Sequence, residues 1–134
     1  MSELHIELVM PHDKKLDEFI ERAILPGIEG DFEVLSGHTA FITKLRPGTL
    51  KVYKDSEELF FSLLDGFVTV EDDKIIILSE NCESRKDIDL ERANAARIRA
   101  EKRIADTTNS EIDFRRAEFA LKRAIARIDT CNNP

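Results

Sequence analysis

A β-sandwich (a flattened barrel) over residues 1–86, followed by an antiparallel two-helix hairpin over residues 87–134, is the fold class the sequence predicts. Three observations predict it. Turn residues punctuate the first part of the chain at roughly 8–12-residue spacing, the rhythm of short strands in all-β domains. Apolar periodicity switches near Asp87 from steps of two to steps of three and four. Charge changes at the same point: residues 1–86 carry 10 Lys and Arg against 18 Asp and Glu, net −8, while residues 87–134 carry 10 against 9, net +1.

Taken in order, Leu4-His5-Ile6-Glu7-Leu8-Val9 alternates in part at period two and predicts a strand. Residues 15–25 fit either helix or strand, and their all-β surroundings favour a strand. Phe41-Ile42-Thr43-Lys44-Leu45 follows a turn bearing Gly37, and Pro47-Gly48 introduces Leu50-Lys51-Val52-Tyr53. Phe60 to Leu64 and Phe67 to Val70 flank Asp65-Gly66, which predicts a two-residue hairpin. Asp72-Asp73 leads into Ile75-Ile76-Ile77-Leu78.

Beyond Asp87, Leu90, Ala93, Ala100 and Ile104 trace a narrow apolar seam on a first helix. Phe114, Ala117, Leu121, Ala124 and Ile128 do the same on a second. Small alanines on both seams let the helices approach closely. Asp87 or Asp89 can cap the first helix, and Ser110 with Asp113 resembles a capping box for the second. The short loop Asp106-Thr107-Thr108-Asn109-Ser110 makes the pair an antiparallel hairpin. Seams this thin leave the pair marginal alone, so it needs the sandwich or another protein to pack on.

Composition excludes several classes. At 134 residues, with 42% hydrophobic and 35% charged content, the chain has the make-up of a folded soluble protein. Its net charge of −7 weighs against a nucleic-acid partner, the arginines of the last third excepted. No stretch approaches the roughly 20 apolar residues of a membrane span. Residues 1–5 have neither the basic nor the apolar region of a signal peptide. Cys82 and Cys131 form no CxxC and predict two free thiols in a reducing, cytosolic setting.

No catalytic constellation emerges. The Gly30 to Gly37 stretch lacks the lysine of a P-loop. His5, His12 and His38 lie far apart without Cys or carboxylate companions at ligand spacing, so no metal site is expected. The chain reads as non-catalytic.

The arginines are more telling. Arg123 and Arg127 are i,i+4, with Arg116 two turns earlier near the same face, and Arg99 and Arg103 are also i,i+4. Like charges at that spacing destabilise a helix by a few tenths of a kcal/mol unless an anion relieves them. With residue 108 at the turn, Arg92 lies 16 positions before it and Arg123 lies 15 after. Their guanidinium groups can therefore share one height, and Asp89 falls level with Arg127. Two readings stay open: a solvated basic face with an Asp89–Arg127 ion pair, or a polyphosphate seat.

Ile88-Asp89-Leu90-Glu91-Arg92-Ala93 resembles the ATP-binding motif of bacterial epsilon subunits of F-type ATP synthase. The order of other signatures is similar to that family: Leu25-Pro26-Gly27, Gly30, Leu35-Ser36-Gly37-His38, Leu45-Arg46-Pro47-Gly48 and Asp65-Gly66-Phe67-Val68. The ending from Asp113 to Ala124 resembles the family's second helix, so the likeness spans almost the whole chain. It departs at Glu33, Ser36 and Asp65, where the family usually has glycine, proline and glycine.

The resemblance implies a non-catalytic central-stalk subunit at the cytoplasmic face of the membrane, peripheral to it. Its partners would be the gamma subunit, the membrane rotor ring and the catalytic beta subunits. Asp31 and Ser36, Gly37 and His38 would form a contact edge. The hairpin would inhibit ATP hydrolysis when extended and permit it when folded on the sandwich. ATP would be a regulatory rather than an obligatory ligand, held by Glu83, Ile88, Asp89, Arg92, Ala93, Arg99, Arg123 and Arg127. The alternative is a free-standing cytosolic ATP-binding sensor with the same arginine site, and a plain adaptor is a third reading.

Overall fold

The protein is described by a computed structural model that covers residues 3–108 and 110–133. Ten strands form two five-stranded sheets. They are β1 (Leu4–Met10), β2 (Asp13–Ile20), β3 (Arg22–Gly27), β4 (Gly30–Leu35) and β5 (Phe41–Lys44), then β6 (Gly48–Lys54), β7 (Glu57–Leu63), β8 (Phe67–Glu71), β9 (Lys74–Leu78) and β10 (Cys82–Ser84). One sheet runs in the order β2-β1-β9-β8-β5 and the other β10-β7-β6-β3-β4. All pairs are antiparallel except β1 with β9.

Period-two alternation builds the core. Leu4, Ile6 and Leu8 point inward from β1, and Ile75 and Ile77 do so from β9. From the facing sheet come Leu25, Val34, Leu50, Val52, Phe61 and Leu63. Burial of each such side chain contributes roughly 1.5–3 kcal/mol against leaving it in water.

The ambiguous residues 15–25 are strand, divided between β2 and β3 at Glu21. β4 and β10 had no sequence prediction: β4 is short and mostly exposed, and β10 is three residues long. The expectation at Asp65-Gly66 fails. β7 and β8 lie in different sheets, so this turn crosses the sandwich instead of closing a hairpin. Asp65 caps the 79–81 turn, accepting from Ser79 Oγ at 2.9 Å and the Glu80 amide at 3.1 Å. Two-residue hairpins fall elsewhere, at Pro11-His12, Ile28-Glu29, Asp55-Ser56 and Asp72-Asp73, and in the last two all four loop residues have positive φ.

A single 3-10 turn, Arg85–Asp87, leads from β10 to α1 (Leu90–Ala105), and α2 (Glu111–Asn132) returns antiparallel to it. Asp89 caps α1 by accepting from the Arg92 amide at 3.1 Å, and Ser110 caps α2 by accepting from the Asp113 amide at 3.2 Å. Asn109 of the expected loop lies outside the described residues. The seam alanines Ala93, Ala100, Ala117 and Ala124 are buried as expected. The bulky seam residues Leu90 and Phe114 are exposed, each in the first turn of its helix.

α2 carries a second contact face that the seam analysis missed. Ala126 and Thr130 are buried against β6 and β7, whereas α1 packs mainly on α2. This is why β7 is buried on both sides. Phe61 and Leu63 point into the sandwich, while Phe60 and Ser62 face outward under the hairpin. Thr130 looks like a surface residue in sequence, yet its hydroxyl donates to the Ala126 carbonyl and meets Thr49 Oγ1, each at 2.8 Å.

Candidate functional site

Where β10 gives way to the hairpin, the sandwich rim and the two helices enclose a cleft of about 500 Å³. That volume falls in the range of small-molecule sites. β10 supplies Cys82 and Glu83, the connecting turn supplies Asp87, and Asp89 stands at the cap of α1. Helical spacing then brings Arg92, Ala93, Ala96 and Arg99 along one side of α1, and α2 contributes Arg127. Met10, Glu80 and Asn81 complete the wall from the sandwich.

Six of the eight residues expected to hold a nucleotide therefore line one cleft: Glu83, Asp89, Arg92, Ala93, Arg99 and Arg127. Ile88 is half-buried beside it, and Arg123 is exposed one turn earlier on α2; neither is a lining residue. The expected Asp89–Arg127 ion pair does not form. Arg127 Nε instead donates to Glu83 Oε1 at 2.6 Å, which ties α2 to the sandwich edge. Asp89 is committed to its helix cap. Level height in a hairpin is not enough to pair two side chains when a strand presents a nearer carboxylate.

Charge is arranged unevenly round the cleft. With Glu83 neutralised by Arg127, the guanidinium groups of Arg92 and Arg99 have no carboxylate within ion-pair distance among the described residues. Glu80, Asp87 and Asp89 line the same cleft and offer acceptors. Such a cleft suits a ligand that carries both anionic oxygens and hydrogen-bond donors. Met10, Ala93 and Ala96 add apolar wall. Cys82 is buried at its edge, and burial raises its thiol pKa above the ordinary value.

The expected contact edge divides in two. Asp31 lies at the start of β4, where it accepts from Arg46 Nη2 at 2.6 Å. Ser36 and Gly37 follow the far end of the same six-residue strand, whereas the chain turns back at His38, whose ring meets Phe41 edge-on at 6.3 Å, and Phe41 in turn meets Phe32 at 5.2 Å. There the Gly37 amide donates to Asp73 Oδ1 at 2.6 Å, and His38 Nδ1 lies 2.7 Å from the Thr39 carbonyl. Elsewhere, strand register does what linear spacing hid, gathering His5, Glu7 and Asp17 on the outer face of the first sheet. Lys14 and Lys74 lie against those carboxylates, so the group is an ion-pair network. No helix among the described residues is long and apolar enough to cross a membrane.

A sandwich and a helical arm that close a charged cleft between them define a two-part protein. Residues 3–85 match the family model described as ATP synthase, Delta/Epsilon chain, beta-sandwich domain, and residues 86–132 match the long alpha-helix domain of the same chain. The ATP synthase epsilon chain of Trichlorobacter lovleyi is 40% identical over 95% of this chain and 92% of its own length. That of Desulforapulum autotrophicum is 42% identical over 93% of each. In fold, the chain is similar to one in the Euglena gracilis mitochondrial ATP synthase, with a TM-score of 0.85 at 22% identity, covering 94% of this chain and 79% of that one. The chain belongs to the delta/epsilon family of ATP synthase, a non-catalytic subunit of that complex.

Proposed function

We propose that this chain is a central-stalk subunit whose hairpin restrains ATP hydrolysis when released and is held closed by ATP in the cleft between Glu83 and Arg99. The observation that carries the nucleotide reading is the cleft itself. It joins sandwich, linker and both helices, so a ligand there binds the closed hairpin and loses half its contacts when the helices leave. A ligand with that differential affinity shifts the hairpin toward closure. Arg92, Arg99 and Arg127 meet the phosphates, and the carboxylates of the cleft receive ribose hydroxyl and adenine amino donors.

The stalk reading draws on the outer face of the first sheet. Ile42, Phe67 and Leu78 are neighbours there by register and at least half exposed. Exposed apolar patches of this kind mark docking sites. The gamma subunit docks on this face, and the rims at Asp31 and at Ser36 to His38 extend the contact to gamma and the membrane rotor ring. Once extended, the basic helices reach an acidic segment of the beta subunits. The whole sits peripherally at the cytoplasmic face of the membrane.

The test is a calorimetric titration of the full chain with ATP, repeated with Arg127→Ala, Asp89→Ala and Arg123→Ala. One-site binding is expected, weakened about tenfold or more by Arg127→Ala, as loss of a charged hydrogen bond demands. Arg123→Ala has the smaller effect, since that side chain stands outside the cleft. No saturation at millimolar ATP overturns the nucleotide reading. Failure to associate with a core complex stripped of its own epsilon chain overturns the stalk reading.

A further inference from the structure

We propose that Arg85 is a latch that pins the end of α2 to the sandwich and so sets, without nucleotide, how readily the hairpin leaves. The proposal rests on the mobile-hairpin reading above and assigns its resting balance to one side chain. Arg85 stands in the 3-10 turn that links the two parts of the chain, and it reaches 45 residues ahead in sequence. Its Nε donates to the Thr130 carbonyl at 2.8 Å, and its Nη2 donates to the Asn133 carbonyl. The guanidinium plane also covers the Phe60 ring, 3.8 Å from its centroid.

The physics of a helix end explains why these contacts matter. The last four carbonyls of a helix have no partner within it, and they carry its negative partial charge. α2 has no basic residue in its last turn, so the cation that completes its end comes from the linker. Arg85 supplies charge, two directed donors and stacking at once, which a point-charge lysine cannot.

The rest of the contact is polar and reversible. Glu83, Ser62 and Thr49 lie side by side across β10, β7 and β6 by strand register. Above them, α2 presents Arg127 and Thr130 to Glu83 and Thr49. Water can satisfy each of these groups once α2 lifts, and the apolar side chains uncovered include Phe60 and Ala126. Because α1 packs mainly on α2, releasing the end of α2 frees the pair. Arg85 is not a lining residue of the cleft, so it acts on nucleotide only through the closed population.

Hydrogen exchange on the full chain, without ATP, tests the latch in wild type, Arg85→Lys and Arg85→Gln. In Arg85→Gln the amides of the last two turns of α2 should exchange about tenfold faster or more, while the sheet amides keep their rates. Arg85→Lys should fall between the two. Exchange at the end of α2 within about twofold of wild type overturns the proposal, and so does equal acceleration in the sheets, which marks a role in the fold alone. A second arm adds ATP. If ATP protects the helices of neither wild type nor variant, the nucleotide reading fails, and the latch still stands or falls on the first arm.

Discussion

At the scale of single residues, chemistry and conformation pull apart in what sequence conveys. Asp65-Gly66 carries the composition of a hairpin turn, yet its glycine answers to a neighbouring strand end. A Cβ on Gly66 would lie 2.1 Å from the Leu78 carbonyl oxygen, and the residue has φ +122°. Gly66→Ala should therefore destabilise the protein by at least about 2 kcal/mol, read as a fall in the denaturant midpoint at constant slope. Unchanged stability would mean that this crossing has room the geometry denies. Glu83 and Arg127 teach the converse. Both were legible as site residues from the family motif, but their partnership was not, since it joins side chains 44 positions apart.

At the scale of elements, buried alternation made most strands readable, and capping residues fixed both helix starts. Asp89 and Ser110 cap the helices as their types foretell. The short strand β4 escaped notice because Phe32 and Val34 are its only inward residues, and its pairing with β3 holds the rest in the sheet. The tight turns escaped too, for Asp55, Ser56, Asp72 and Asp73 adopt positive φ with no glycine among them. A non-glycine residue in that region costs roughly 1–2 kcal/mol. Ser56, at φ 69°, is exposed in the turn, so Ser56→Gly should raise stability by about 0.5–1 kcal/mol in thermal melts. Asp73 is the poorer choice, because its carboxylate accepts from the Gly37 amide.

At the scale of the molecule, the two parts differ in how they are held. The sandwich closes its own core, and the hairpin leans on it through a polar contact and one cleft. Truncation after Lys86 should leave a cooperatively unfolding sandwich that still associates with the ATP synthase core, with inhibition of hydrolysis lost. A truncated chain that no longer melts cooperatively would show that the sandwich depends on its hairpin cover over Phe60 and Ser62. Inhibition that survives truncation would place the restraint outside the arm.

The sequence by itself determined the two-part architecture, the family and the residue types of the candidate site, because periodicity, capping and motif are properties of near neighbours. Tertiary structure alone decided which strands share a sheet and which carboxylate takes Arg127. It also decided that Asp31 and Ser36 stand at opposite ends of a strand, and that Arg85 completes the far end of α2. Each of these joins distant positions, and their closeness follows from how two sheets and two helices pack, a geometry that no local pattern encodes.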